Sequence, residues 1–197
     1  IGGLERLRLQ VQGGLGGLTL SHCTVAPAEG AQLVVTSDTN SNDELAVSVD
    51  KSICGTIQAP EHIKSLRIID SIVDSAVDPE QDGYPATALS ADNTPGFGPA
   101  TTIERSTLFG TVFVREMTLA TETIFTENVT AERLQAGCVR YSFVPPGSRA
   151  PRRFRCQPDL ESTAQIDKAQ KDLDRELTDT EKDAIKILPS WAPERSI

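Results

Sequence analysis

The eight residues Leu66-Arg-Ile-Ile-Asp-Ser-Ile-Val73 carry the pattern that decides the fold. Four further segments align with them without gaps: 18–25, 47–54, 101–108 and 118–125. The shared pattern is apolar or Thr, any residue, apolar, any residue, polar, small hydroxyl or thiol, β-branched, apolar. Each segment alternates with a period of two and is rich in Val, Ile and Thr, so the repeat predicts β-strands and excludes helices.

The aligned positions form columns, and each column has one chemical character. The third column is apolar (Leu20, Val49, Ile68, Ile103, Ala120), and so is the eighth (Val25, Cys54, Val73, Leu108, Phe125). The fifth column is polar (His22, Lys51, Asp70, Arg105, Glu122), and the sixth is small (Cys23, Ser52, Ser71, Ser106, Thr123). Stacking of like positions in register on neighbouring strands explains all four. We expect the apolar columns to be buried, the small column to occupy a tight corner, and the opposite charges of the fifth column to face each other on adjacent strands.

The spacing between segments indicates a parallel β-solenoid. Successive segments start 29, 19, 35 and 17 residues apart. Intervals of 17 and 19 residues fit one bare coil, and the longer intervals fit coils that carry a loop. The long intervals contain residues 36–44 and 77–99, which are rich in Asn, Asp, Gly and Pro, as protruding turns are. The expected fold is all-β, with five to six coils.

These rungs resemble the right-handed parallel β-helix of the pectate-lyase-like fold, over residues 4 to about 135. Residues 70–74, 103–108 and 137–158 are further similar to large bacterial β-helix proteins associated with phage-tail-like contractile injection clusters. The resemblance implies a structural protein of a bacterial cytoplasmic assembly or extracellular particle. It supplies no active site. The chain starts with Ile, so we also expect it to be a fragment of a longer protein.

The C-terminal third changes character twice. We expect a β-helix over 1–158 whose end is a capping segment, 136–158, with Tyr141, Phe143 and Phe154 covering the open end of the solenoid. Residues 159–197 form a helical tail. Its first helix has an apolar stripe with 3-4-4 spacing, made by Ile166, Ala169, Leu173 and Leu177. The segment Thr178-Asp-Thr-Glu181 is typical of a capping box, with Ile185 and Leu188 on the inner side of the second helix.

An arginine cluster in the capping segment is the candidate binding site. Its members are Arg149, Arg152, Arg153 and Arg155. Four guanidinium groups so close in sequence suit a phosphate, a sulfated sugar or the acidic face of a partner. The alternative is that they pair with acidic neighbours within the chain, such as the tail.

The four cysteines allow three pairings. Cys23 and Cys54 fall in interior columns, where a buried thiol behaves as a small apolar group. Cys138 and Cys156 bracket the arginine cluster, and a disulfide between them is the candidate bond in an oxidising compartment. No Cys-x-x-Cys or clustered His is present in the sequence, so we expect no metal site.

Charge and composition narrow the function classes. A net charge of −9 and a pI near 4.7 argue against a nucleic-acid binder, and no apolar run reaches the length of a membrane span. We therefore expect a non-catalytic structural or binding module, without a cofactor, whose partner is a protein or the remainder of a larger chain. The alternative is a carbohydrate-active enzyme or glycan-binding module for an acidic polysaccharide. The acids that such an enzyme would use are Asp70, Asp74, Asp78, Glu80 and Asp82, with Arg105 in the same column as Asp70.

Overall fold

The computed structural model describes residues 8–11, 14–25, 32–35, 42–75, 87–91 and 96–187. The strands of these residues are β1 (Arg8–Val11), β2 (Gly17–Ser21), β3 (Gln32–Val35), β4 (Ala46–Asp50), β5 (Ile53–Cys54), β6 (Thr56–Gln58), β7 (Ser65–Ile69), β8 (Ile72–Asp74), β9 (Thr87–Ser90), β10 (Gly98–Glu104), β11 (Thr107–Phe109), β12 (Thr111–Thr121), β13 (Ile124–Phe125), β14 (Val129–Ala131), β15 (Cys138–Arg140) and β16 (Arg153–Phe154). The helices are α1 (Asp159–Leu173) and α2 (Asp179–Ile187).

These strands pair in parallel and form three stacks. The first stack is β1, β3, β6, β9, β12 and β14; the second is β2, β4, β7, β10, β12, β15 and β16; the third is β5, β8, β11 and β13. β12 is long enough to belong to the first stack with its first half and to the second stack with its second half. The chain visits the stacks in turn, which makes an all-β parallel fold consistent with a β-helix-like solenoid, followed by two C-terminal helices.

The register of the third and eighth columns is confirmed. Val49 pairs with Leu20 and Ile68, and Ile68 pairs in turn with Ile103. In the third stack, Leu108 pairs with both Val73 and Phe125. Apart from Leu20 and Val25 in the first described rung, which are half-buried, every member of these two columns is at most 1% exposed. The apolar columns therefore form the core, as predicted.

One register prediction is wrong. Thr101 pairs with Met117 and Thr102 with Leu119, so a bulge leaves Thr118 without an opposite residue. The gapless alignment placed Thr118 opposite Thr101. β12 runs without a break from the first stack into the second, and a bulge lets such a strand bend while keeping its inward side chains in line.

A sharp corner joins the second stack to the third. The residue at the fifth column has a positive φ, between 45° and 55°, in seven successive rungs: His22, Lys51, Asp70, Arg105, Glu122, Tyr141 and Arg155. All seven side chains are exposed. The backbone N–H groups of the first six donate to a carbonyl of the next rung; Asp70, for example, donates to Glu104 O at 3.0 Å. We call this set the corner column. The left-handed conformation turns the chain and points each corner side chain away from the core.

The small residues of the sixth column form a hydrogen-bonded ladder behind the corner. The hydroxyls of Ser52, Ser71 and Ser106 each donate to the carbonyl two residues earlier and accept the backbone N–H of the previous rung. Ser71 Oγ donates to Ile69 O at 2.6 Å and accepts from Ser52 N at 3.1 Å. Ser106 Oγ repeats this with Glu104 O at 2.7 Å and Ser71 N at 3.1 Å. The prediction of small residues at a tight corner is confirmed, and their hydroxyls also satisfy buried amides.

We expect Ser71→Ala to lower the free energy of unfolding by about 2 kcal/mol, because it leaves the buried N–H of Ser52 without its acceptor. Urea denaturation measures the loss. Ser48→Ala, on the outer side of β4, is the control and should change stability by less than about 0.5 kcal/mol. Ser71→Cys should lie between them, because Cys23 makes the same bond to the carbonyl two residues back. Equal losses for Ser71→Ala and Ser48→Ala would contradict a supporting role for the ladder.

Candidate functional site

A bidentate ion pair joins Asp70 and Arg105 on adjacent rungs of the corner column. Arg105 Nε donates to Asp70 Oδ1 at 2.6 Å, and Nη2 donates to Oδ2 at 3.2 Å. Arg105 also reaches Glu104 at 3.4 Å, while Lys51 Nζ lies 3.5 Å from Asp50 Oδ2. The predicted pairing of opposite charges across adjacent strands is therefore confirmed at Asp70 and Arg105.

This pair sets the electrostatics of the best catalytic candidate. The hydrogen bonds from Arg105, followed by the charges of Arg105 and Lys51, hold the pKa of Asp70 below its ordinary value. The same contact raises the pKa of Arg105. Both carboxylate oxygens of Asp70 accept a guanidinium N–H, so a cation or a sugar hydroxyl would compete with Arg105 for this carboxylate.

The other predicted acids do not join Asp70 in a described cluster. Asp74 lies on β8 and pairs through its backbone with Phe109. Asp78, Glu80 and Asp82 lie outside the described residues. Within the ranges that the structure describes, no group of three or more His, Cys, Asp or Glu side chains is arranged to hold a metal ion.

An outward apolar column runs beside the corner column, two residues further along each rung. Its members are Thr24, Ile53, Ile72, Thr107, Ile124 and Phe143, which pair with each other in order on the third stack. Ile53 and Ile72 are each 38% exposed, and Ile124 is 46% exposed. The sequence pattern recorded this position as β-branched without showing that it faces outward. The signal was present, because the position lies between two inward columns.

The structure spreads the four arginines along the last rung. Arg149 forms a bridge with Thr130 at the first stack, Arg153 lies in β16, and Arg155 is a corner residue. Arg153 donates to Ser148 O at 2.9 Å and lies 3.4 Å from Asp159 Oδ2 at the start of α1. Arg153 thus makes the contact with the tail that the alternative interpretation expected.

The remaining members of the cluster face solvent. Arg155 stacks over the ring of Phe154, with its guanidinium carbon 5.5 Å from the centroid. Arg149 and Arg152 are exposed and have no side-chain partner in the described part of the chain. The cluster is therefore a set of separate cations on the end of the fold, and the structure does not draw all four toward one point.

The aromatic residues of the capping segment are placed differently from the prediction. Tyr141 and Phe154 are each 49% exposed and form an edge-to-face pair with centroids 5.8 Å apart. The prediction that they cover the open end is wrong for these two, because Tyr141 is a corner residue and Phe154 precedes the corner on the next rung. An open hollow of about 220 Å³ lies between this region and α1 and is lined in part by Phe154, Arg155 and Leu160.

All four cysteines are free thiols. Cys138 is half-buried, on the side of β15 opposite the core residue Val139, whereas Cys156 is 1% exposed in the sixth column. The candidate disulfide between them is not formed, because the two residues lie on opposite sides of the strand layer. Cys54 is buried as predicted, and desolvation raises its pKa to about 12.

The first helix carries only part of the predicted stripe, because α1 ends at Leu173 and Leu177 lies in the connection to α2. Leu177 is 6% exposed, Ile166 and Ala169 are half-buried, and Leu173 is 53% exposed. α1 packs against α2. Leu188 lies outside the described residues. Neither described helix has the length and apolar character needed to cross a membrane.

The capping box is confirmed. Glu181 N donates to Thr178 Oγ1 at 3.4 Å, and Glu181 Oε2 accepts from Thr178 N at 2.9 Å. Arg175 adds two bonds to the same carboxylate, at 2.7 and 3.0 Å. These bonds, that of Arg175 first, lower the pKa of Glu181 from 4.5 to about 2.

We expect α2 to lose helix content as the pH falls from about 4.5 toward 2. A lowered carboxyl pKa stabilises the fold above the unfolded-state value and loses that contribution as the pH falls through the folded value. Circular dichroism measures the loss of helix content, and carboxyl titration by NMR measures the pKa of Glu181. Arg175→Gln should move the pKa of Glu181 upward toward 4.5, and Glu181→Gln should remove the acid transition. An unchanged Glu181 titration in Arg175→Gln would refute the assignment.

Comparison of the chain with protein-family models, curated proteins and solved structures finds no match.

Proposed function

We propose that this chain is a rigid, non-catalytic β-helix module that holds surface side chains in fixed rows for contact with a protein partner. The proposal includes a right-handed solenoid in which one passage through the three stacks makes one coil. Seven described strands follow one another in the second stack, which supports one or two coils more than the five to six expected from the repeat. The proposal includes a larger bacterial assembly as the setting of this module, on the basis of the sequence resemblance to β-helix proteins of phage-tail-like clusters.

One observation carries this proposal: the corner column is an ordered row of exposed side chains on a stiff support. Seven left-handed corners stack through backbone hydrogen bonds, and the hydroxyl ladder lies directly behind them. Neighbouring side chains in such a row are held at the strand spacing of about 4.8 Å. Asp70 and Arg105 are the acid and base in this row that an enzyme would use, and they bind each other in a bidentate ion pair. Repeating surfaces of this kind suit extended contacts with a partner.

A glycan-binding module or carbohydrate-active enzyme is the second candidate, and a different observation favours it. Tyr141 and Phe154 offer exposed rings beside Arg155, with Arg152 exposed on the same rung. Exposed rings next to cations suit an acidic sugar, because the ring faces cover apolar sugar surface while guanidinium groups bind the carboxylate or sulfate.

A calcium titration by calorimetry, an acidic-glycan array and an ultraviolet assay for unsaturated sugar products separate these functions. We expect no glycan binding and no product from the wild type, and slow amide hydrogen exchange at Ser52 and Ser71 as the sign of a stiff corner. Glycan binding that Tyr141→Ala and Arg152→Gln both remove, without product, would instead establish a glycan-binding module. Product formation abolished by Asp70→Asn would establish an enzyme and overturn the proposal.

A further inference from the structure

We propose that the corner column and the outward apolar column form a self-association surface, on which two copies of this chain pair antiparallel about a two-fold axis. This inference holds whether or not the module also binds a glycan. It concerns the four consecutive rungs that carry Lys51, Asp70, Arg105 and Glu122.

The charge pattern of these rungs is self-complementary. Read along the stack, the four corner residues are positive, negative, positive and negative, and all four are exposed. A second copy turned end for end presents the reverse order. Lys51 then faces Glu122 of the other copy, and Asp70 faces Arg105. A copy docked in the same direction would set like charges against each other, so the pattern selects the antiparallel arrangement.

The same two-fold axis also brings the outward apolar columns of the two copies together. Turned end for end, it sets Ile53 against Ile124 of the other copy and Ile72 against Thr107. The exposed methyl groups of Ile53, Ile72 and Ile124 would be covered by this pairing. The axis passes between the rungs of Asp70 and Arg105 in one column and between those of Ile72 and Thr107 in the other. These are the same two rungs, because β7 pairs with β10 and β8 pairs with β11.

Lys51 and Glu122, the two outer members of the charge pattern, can each form a further ion pair. Glu122 makes no side-chain hydrogen bond or ion pair within the described ranges and acts on Arg105 only through its charge. The Lys51 side chain is 53% exposed, and its one ion pair is with Asp50 at 3.5 Å. Both copies have the same strand spacing, about 4.8 Å, so every rung can meet its counterpart without a gap.

Lys51 and Glu122 cannot pair within one chain. They lie three rungs apart, which is about 14 Å at the strand spacing. An energetic coupling between them therefore has to arise between two chains. The dimer contains this contact twice, so reversal of one charge acts twice.

Sedimentation equilibrium of Lys51→Glu, Glu122→Lys, the double variant and an equimolar mixture of the two single variants tests the proposal. The wild type should form a dimer whose dissociation constant falls as the salt concentration is lowered, because the opposite charges are then screened less. Each single variant should raise the dissociation constant about tenfold. The double variant should restore wild-type association, and the mixture should form a heterodimer, because each reversed charge then meets its opposite. Lys64→Glu is the control for Lys51→Glu, because it makes the same change in net charge at a residue that contacts Glu44 instead of the corner column. It should leave association unchanged.

Ile72→Thr tests the apolar column separately. Thr24 and Thr107 already occupy this column, so the substitution keeps the strand and should leave the unfolding midpoint nearly unchanged while it weakens the dimer. A wild type that stays monomeric at every concentration would overturn the proposal. So would a dimer that is insensitive to both single charge reversals, or one that the double variant fails to restore.

Discussion

Gly137→Ala is expected to destabilise the protein by about 3 kcal/mol or more. Most single substitutions cost less than this, and larger losses come from specific causes such as backbone strain or a steric clash. A Cβ at this position would lie 1.9 Å from Met117 O and 2.8 Å from Thr118 O, both of them backbone atoms of β12. The φ of Gly137 is +79°, a conformation that L side chains rarely adopt. The residue directly precedes β15, which pairs with β12, so the clash can be relieved only by separating the two strands.

Urea denaturation measures this loss, and Gly16→Ala is the matched control. A Cβ on Gly16 would meet nothing within 4 Å, so its substitution should change stability by at most about 0.5 kcal/mol. Similar stabilities for the two variants would show that β12 can move away from residue 137, and that the close approach is not essential.

Phe125→Ala is expected to cost 3–5 kcal/mol, the range for removing a fully buried ring. Phe125 is 0% exposed and is the largest fully buried side chain among the residues that the structure describes. It pairs with Leu108 in the eighth column, so the cavity would open inside the stack of apolar residues. The strands around it are tied by parallel ladders on both sides and cannot collapse into the space.

Calorimetry of Phe125→Ala beside Phe109→Ala checks this value. Phe109 is 37% exposed, and its truncation should cost clearly less. Phe125→Leu should fall between them, because most of the volume is kept. If Phe109→Ala proved as costly as Phe125→Ala, the eighth column would not be the centre of the core.

The repeat predicted the strands and their register because columns of like residues report burial directly. Ile68 and Ile103 are apolar in sequence and fully buried in the structure for the same reason. The bulge at Thr101 and Thr102 left no such mark, because Thr suits both an inward and an outward position of a strand. The first stack was also hidden, because short strands such as β6 and β14 carry too few residues to show a period.

The candidate site was less predictable than the core. Left-handed backbone is usually marked by Gly or Asn, and the corner column uses Lys51, Arg105 and Tyr141 instead. Its conformation is imposed by the stacked rungs and not by local preference. Closeness in sequence also suggested a tighter arginine cluster than the structure has. Arg149 and Arg153 are close along the chain, yet their backbones lie in different strand stacks.

The ladder behind the corner has a practical consequence for engineering. Ser71 accepts its bond from Ser52 and makes the next one to Ser106, although the chain takes very different lengths to reach each rung. The register of the strands is thus set by the hydrogen bonds between rungs and does not depend on the length of the segment that connects them. A foreign peptide grafted between Ser75 and Thr87 should leave that alignment intact, which would make the protein a host scaffold for displaying inserted epitopes of many lengths.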